Sequence, residues 1–422
     1  MARQWVYPMS VKGRFQRIHR YTGFLLQAFL FLTPWVNVSG RPAVQIDIPA
    51  RRVFALGGVY TASDAIFLVL GLLIAVFSLF LFTALWGRLW CGYACPQTVF
   101  LEEWIRPIEK WIEGDRGLRM ARDKQPWAWK NLWRRIAKWV AFAGVAGLVA
   151  MTTVSWFAGA RELWTGNGSA AAYAMVGIVG AVLFADFAWF REQFCNYLCP
   201  YARFQGALSD DGSLTISYAT ERGEPRGEEG ACIDCKKCVA VCPQGIDIRE
   251  GFQLECIACG RCIDACEGVM GKRGQPGLIL YRPIKQLPTL RGRTVAYGAI
   301  LSGLLVGLVV AVATHHELQA SVARAPGTLF VVDPDGWTRN TYLVKVTNSS
   351  LEPMTASVQV EDLPAGSEMN APTVMVEPTK STTVPVIVRM KQPPAPITHI
   401  TFEVETDHAE VKVPATFTAE GV

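Results

Sequence analysis

Twelve cysteines fall between positions 91 and 266 of this 422-residue chain. Eight of them form two runs, "CIDCKKCVAVCP" with Cys232, Cys235, Cys238 and Cys242, and "CIACGRCIDAC" with Cys256, Cys259, Cys262 and Cys266. Both follow C-x2-C-x2-C-x3-C. Three closely spaced thiolates wrap one corner of an iron–sulfur cube, and the fourth, carried off by a helical turn, ligates the other cluster. The spacing therefore predicts two [4Fe–4S] clusters. One is assigned to Cys232, Cys235, Cys238 and Cys266, the other to Cys256, Cys259, Cys262 and Cys242. A zinc ribbon would need two C-x2-C pairs and no fourth cysteine. Glu267 follows Cys266 where the first run has Pro243, a departure that bears on the local turn and not on ligation.

The other four cysteines sit in "LWCGYACPQT" (Cys91, Cys95) and "QFCNYLCPYA" (Cys195, Cys199). Positions i and i+4 share a helix face, and Pro96 and Pro200 mark expected helix ends. If the two helices are neighbours, four sulfurs converge. Three readings stand: buried small hydrophobes, a thiol pair cycling with a disulfide, and a thiolate site for Cu(I) or a third iron–sulfur cluster.

Membrane helices must position these motifs. The chain is 51% hydrophobic, and five windows approach the ~20 apolar residues a bilayer needs: Tyr21–Val38, Ala65–Trp86, Trp139–Phe157, Ala170–Phe190 and Val295–Thr314. Tryptophans 35, 86, 90, 139, 156 and 189 lie near their ends, as an aromatic belt does. Lys and Arg cluster before the first span (Lys12, Arg14, Arg17, Arg20), between the second and third (Arg106 to Arg135), and before the fifth (Lys272 to Arg293). The positive-inside rule makes that side cytoplasmic. All twelve cysteines then lie on or at the edge of the reducing side, away from where disulfides form. The net charge of +5 is too modest to argue for nucleic acid. Past the fifth span, roughly Ala323–Val422, alternating segments such as "TYLVKVTN" and "THITFEVET" predict about seven strands, an immunoglobulin-like sandwich without its usual disulfide.

Weaker candidates are Asp186, inside the fourth span; His315 and His316, after the fifth; and His19, before the first. Lys236, Lys237 and Arg261, interleaved with the cluster ligands, would dock an acidic donor or be solvated charges. No phosphate-binding or dinucleotide glycine motif is present, so a flavin or nicotinamide would come on a partner.

Ala231–Glu267 resembles bacterial ferredoxin domains. Together with the two C-x3-C-P motifs, "LTPWVNVSGRPAVQIDIPARR" after the first span and the exported β-rich tail, the whole chain resembles the FixG/CcoG/RdxA family of membrane polyferredoxins, accessory proteins of cbb3-type cytochrome c oxidase. The cysteine motifs alone are also similar to NapH-type membrane ferredoxins. The resemblance implies a multi-pass protein of the bacterial cytoplasmic membrane with cytoplasmic ferredoxin domain and periplasmic tail. It implies a cupric reductase making Cu(I) for oxidase copper-centre assembly, fed by an unidentified cytoplasmic donor, with Cys91, Cys95, Cys195 and Cys199 as the copper site. A quinol-oxidising subunit and a non-enzymatic assembly scaffold are the alternatives. The expected layout is a cytoplasmic segment (1–20), helices one to four (21–222), the 2[4Fe–4S] domain (223–290), helix five (291–318) and the sandwich (319–422).

Overall fold

The computed structural model describes the chain except residues 1–4, 39–40, 50–51, 56–57, 61–64, 126, 286–287, 289, 315–317, 328, 351, 362, 371, 379, 407–408 and 420–422. His315 and His316 lie outside the described residues. Two compact units are present: residues 1–46 with 69–307, and residues 47–68 with 308–422.

Among the described residues, four helices are long and apolar enough to cross a membrane: Ile66–Trp86, Asn131–Ala158, Ala170–Phe190 and Gly292–Ala313. Three of these turn apolar side chains outward on nearly every face; Leu72, Val182 and Val306 are all more than 60% exposed. A helix apolar all round is stable only where lipid or protein covers it. The chain is a multi-pass membrane protein. The helix expected at Tyr21–Val38 is instead Arg14–Leu32, with three arginines in its first two turns, and a 3-10 turn at Thr33–Trp35 containing Pro34 ends it. Proline fixes φ and donates no N–H, so the apolar stretch stops short of the length seen in the other four.

Asn131–Ala158 is the most buried of the four. Its Phe142, Val145, Ala146 and Val149 pack with Phe187 of the next span and with Phe100 and Ile105 of the segment that follows the first C-x3-C-P motif. Beyond the fourth span, strands Leu214–Tyr218 and Ile279–Pro283 pair antiparallel. They close over the short helix Lys237–Ala240 and the helix Arg261–Met270 around Ile216, Ile248, Ile263, Met270 and Leu278. Asp264 of the latter helix accepts the backbone N–H groups of Phe15 (3.0 Å) and Gln16 (2.8 Å). These are first-turn donors of Arg14–Leu32 that have no intrahelical acceptor.

The second unit holds two antiparallel sheets. One orders Glu368–Met369, Ser381–Met390, Thr338–Asn348 and Leu318–Arg324, with Val331–Val332 beside Thr338–Asn348; the other orders Thr373–Val376, Met354–Glu361, Ile397–Glu405 and Glu410–Thr418. Period-two alternation puts Tyr342, Val344 and Val346 inside from one sheet and Ile400, Phe402 and Val404 from the other. The Tyr342 and Phe402 rings meet edge-on at 4.9 Å, and the Tyr342 hydroxyl donates to the Thr416 carbonyl at 2.7 Å.

Candidate iron–sulfur and thiolate sites

The two cysteine runs fold as a repeat. Asp234 and Lys236 in the first, and Ala258 and Gly260 in the second, occupy equivalent positions and all have positive φ. Non-glycine residues adopt this conformation rarely. Alternating left- and right-handed residues turn successive N–H groups into one concavity suited to an anion. Each concavity is completed by a cysteine of the other run. Cys232, Cys235, Cys238 and Cys266 line one cavity, floored by Tyr218 and Met270. Cys242, Cys256, Cys259 and Cys262 line a second, walled by Ile216, Ile248 and Ile257. Cys238 borders both, so the cavities adjoin. Burial pushes the Cys238 and Cys256 thiols up to about 11 and Cys259 to about 12. Eight thiols in two largely apolar pockets with inward-turned N–H groups fit two anionic [4Fe–4S] clusters, whose charge the backbone and the neighbouring Arg249 and Arg261 would offset.

The C-x3-C-P motifs differ from the single helical face expected of them. Cys91 lies in helix Leu89–Tyr93 and Cys95 is already extended (φ −65°, ψ 124°); Pro96 opens the next helix, Pro96–Phe100. Cys195 lies in a π-helical turn, Phe194–Leu198, Cys199 is extended (φ −66°, ψ 112°), and Pro200 opens Pro200–Leu208. A residue before proline is disfavoured in helical geometry and proline suits the first helical position, so each Cys-Pro ends one helix, as expected, and also opens the next. The junctions interlock. Gln205, fully buried, accepts from the Cys91 thiol at 3.4 Å. Gln97 donates to Asp186 Oδ2 (2.7 Å) and to the Arg191 carbonyl (3.2 Å). Arg88 donates to the Ala202 carbonyl at 2.6 Å. Cys91 and Cys195 each sense the charge of the other motif's cysteines, although among the described residues no three or more Cys, His, Asp or Glu side chains are gathered as a ready metal site. Burial first, then Cys95 and Cys199 among its neighbours, pushes the Cys91 thiol up to about 12. Cys195 is raised by burial and then by Cys95, Cys91 and Cys199.

This thiolate cluster abuts the second tetrad. A Cβ on Gly92, between Cys91 and Cys95, would fall 2.6 Å from the Ile257 carbonyl and 3.0 Å from the Cys259 backbone, so only glycine allows this approach. Tyr93 Oη donates to the Cys259 carbonyl at 3.3 Å and meets Tyr281 Oη at 3.3 Å, while Tyr281 donates to the Ala258 carbonyl at 2.5 Å.

Of the weaker candidates, Asp186 is held by Gln97 at the thiolate cluster's edge. His19 is buried, with Nδ1 2.9 Å from Glu103 Oε1. Lys236 is exposed, but Arg261 is buried against Glu102 and cannot dock a donor. Sequence reading missed the ionic core beneath. Glu102 contacts Arg106 (2.8 Å) and Arg261, and Glu109 takes Arg191 (2.8 Å) and Arg119. Arg106 also donates to the Pro243 carbonyl at 3.1 Å, beside Cys242. The i,i+4 spacing of Glu102 and Arg106 was the available signal; Arg106 and Arg119 read instead as topogenic charge.

Comparison with known proteins agrees with this architecture. A family described as a 4Fe-4S dicluster domain matches residues 190–229 and 225–283; a 4Fe-4S binding domain matches 67–119; and an IG-like fold at the C-terminus of FixG matches 308–420. The nitrogen fixation protein FixG of Rhizobium meliloti is 33% identical over 92% of this chain and 87% of its own. Protein RdxA of Cereibacter sphaeroides is 37% identical over 82% and 80%. The ferredoxin-type protein NapH of Escherichia coli is 28% identical over 25% of this chain and 36% of its own. The chain belongs to the FixG/CcoG/RdxA family and is a membrane-bound iron–sulfur electron-transfer protein.

Proposed function

We propose that the chain delivers electrons to Cu(II) bound at Cys91, Cys95, Cys195 and Cys199, yielding Cu(I) for the copper centre of a cbb3-type oxidase. The observation that carries this reading is the glycine-only contact of Gly92 with Ile257 and Cys259, which joins the thiolate cluster to a tetrad. Two [4Fe–4S] clusters, held by the two cysteine tetrads, supply one-electron storage and transfer. Reduction of Cu(II) takes one electron per ion and no proton. Thiolates are soft ligands that favour the cuprous product. Gln205 and Gln97 orient the pair of junctions without adding a harder ligand.

A third iron–sulfur cluster at the same four cysteines is the second reading. It is favoured by the overlap of iron–sulfur family matches with both motifs, at 67–119 and 190–229. In either case we take Arg14–Leu32 as a fifth membrane helix, since its Phe24, Leu25 and Phe29 face outward, with the dicluster region cytoplasmic and the sandwich periplasmic. Anaerobic mixing of dithionite-reduced protein with Cu(II) tests the copper reading. Visible absorbance should recover as copper is reduced, and fail to recover in Cys91→Ser/Cys195→Ser. Recovery at the wild-type rate in that variant would overturn it, and iron and sulfide quantitation on the same variant separates the second reading.

A further inference from the structure

A cavity of about 460 Å³ opens where the third span begins and the fourth ends. Its apolar wall is Phe142, Phe184 and Ala188, and the rings of Trp139 and Trp189 edge it at the depth where tryptophans mark the membrane interface. Its polar wall is the ionic core: Arg119 and Arg191, both nearly fully buried, with Glu109 and Glu113. The Nε atoms of Arg119 and Arg191 have no hydrogen-bond acceptor among the described residues, although Glu113 and Glu192 carboxylates lie 4.0 Å and 3.9 Å away. These two atoms are sealed beneath the cavity's polar wall, and the cavity itself, with one apolar and one charged wall, has the size and lining of a small-molecule site.

The charge balance narrows its chemistry. Arg119, Arg135, Lys138 and Arg191 face Glu109, Glu113 and Asp123, a net of +1 from four cations and three carboxylates. Glu109 already binds both arginines and Glu113 binds Lys138 at 2.7 Å. Arg135 stacks 5.4 Å from the Trp127 ring and 5.2 Å from Trp139. A phosphate would meet little uncommitted positive charge, whereas an uncharged planar headgroup meets the Trp139 and Trp189 rings and the apolar wall of Phe142, Phe184 and Ala188. A groove sharing Trp5, Tyr7 and Trp189 with this cavity runs on to Cys242 of the second tetrad.

We propose that this cavity binds the headgroup of a membrane quinone and that the corresponding quinol is the electron donor; this rests on the relay reading above. Oxidation of one hydroquinone breaks two O–H bonds, forms two carbonyls, and releases two protons and two electrons, one electron for each of the two iron–sulfur centres. The proton exit is Tyr7, whose hydroxyl donates to the solvent-exposed Asp123 at 2.5 Å.

Decylubiquinone titrated into the full-length, cluster-loaded protein in detergent, followed by tryptophan quenching, should bind saturably. Menadione in a parallel titration tells a benzoquinone site from a naphthoquinone one. Ala188→Phe, filling the cavity, should weaken binding about tenfold or more, given what overpacking costs. Trp139→Leu, a change at a partly exposed ring, should also weaken it, with visible absorbance unchanged in both. Decylubiquinol should bleach the wild-type clusters and fail to do so in Ala188→Phe, which dithionite still bleaches. Equal affinity in all three proteins, or displacement by soluble dihexanoyl phosphatidylglycerol at equal concentration, overturns the site. Saturable binding without Cu(II)-driven recovery sinks the relay alone; no saturable binding in a protein that still reduces Cu(II) sinks the site alone.

Discussion

Replacing Glu102 with Gln removes one charge that serves two buried cations. Glu102, Arg106 and Arg261 are each less than 10% exposed. One carboxylate oxygen lies 2.8 Å from Arg106 Nε and the other contacts Arg261. Burial alone would raise the Glu102 carboxyl, but Arg106 and Arg261 hold it low, so it is ionised at neutral pH. Taking one partner from a buried ion pair costs about 3–5 kcal/mol, because the remaining charges are left dry and uncompensated. At about 2–4 °C per kcal/mol for a unit of this size, the thermal midpoint should fall by roughly 6–20 °C. Arg261 stands between Cys259 and Cys262, and Arg106 holds the Pro243 carbonyl. Visible absorbance from the second tetrad should therefore be lost early in the melt, followed together with near-ultraviolet circular dichroism. Glu102→Leu combined with Arg106→Leu and Arg261→Met, which removes all three charges, should recover much of the loss. A Glu102→Gln midpoint within experimental error of wild type, or a triple variant worse than the single one, would refute the ionic-clamp argument.

Three further outcomes are expected. Cys266→Ser and Cys242→Ser should each cost about four irons per chain, with Cys242→Ser sparing the centre at Cys232, Cys235 and Cys238; iron quantitation with electron paramagnetic resonance decides whether the runs exchange their fourth ligand. Phe402→Ala, in the sandwich core, should destabilise that unit by about 3–5 kcal/mol and expose it to protease while visible absorbance stays unchanged. Glu109 is held near 2, burial opposing and Arg191 and Arg119 prevailing; a depressed carboxyl stabilises fully above its ordinary value of 4.5 and loses that contribution as pH falls toward 2. The urea midpoint of wild type should therefore converge on that of Glu109→Gln across that interval, and a constant gap would contradict the assignment.

Which cysteines would line one pocket together was legible in the sequence, because ligand spacing within a run is local geometry: a C-x2-C-x2-C loop has few ways to aim three sulfurs at one point, and a helical turn must carry the fourth away. The strands of the tail were legible for the same reason, since period-two alternation such as "TYLVKVTN" encodes which side of a sheet each residue faces. Four membrane-length helices showed in their composition, but the bounds of the helix expected at Tyr21–Val38 did not, since Pro34 ends it early and its start carries arginines. Proximity of Gly92 to Cys259, 167 positions later, was hidden, because a glycine's need for space is set by what packs against it. So was the fate of the loop charges. Arg106, Arg119 and Arg191 look identical in sequence to the exposed arginines around them, and only the tertiary structure buries them against Glu102 and Glu109. Burial decides whether a charge is a topogenic signal worth little or half of an ion pair whose breaking costs several kcal/mol, and burial is a property of the assembled helices.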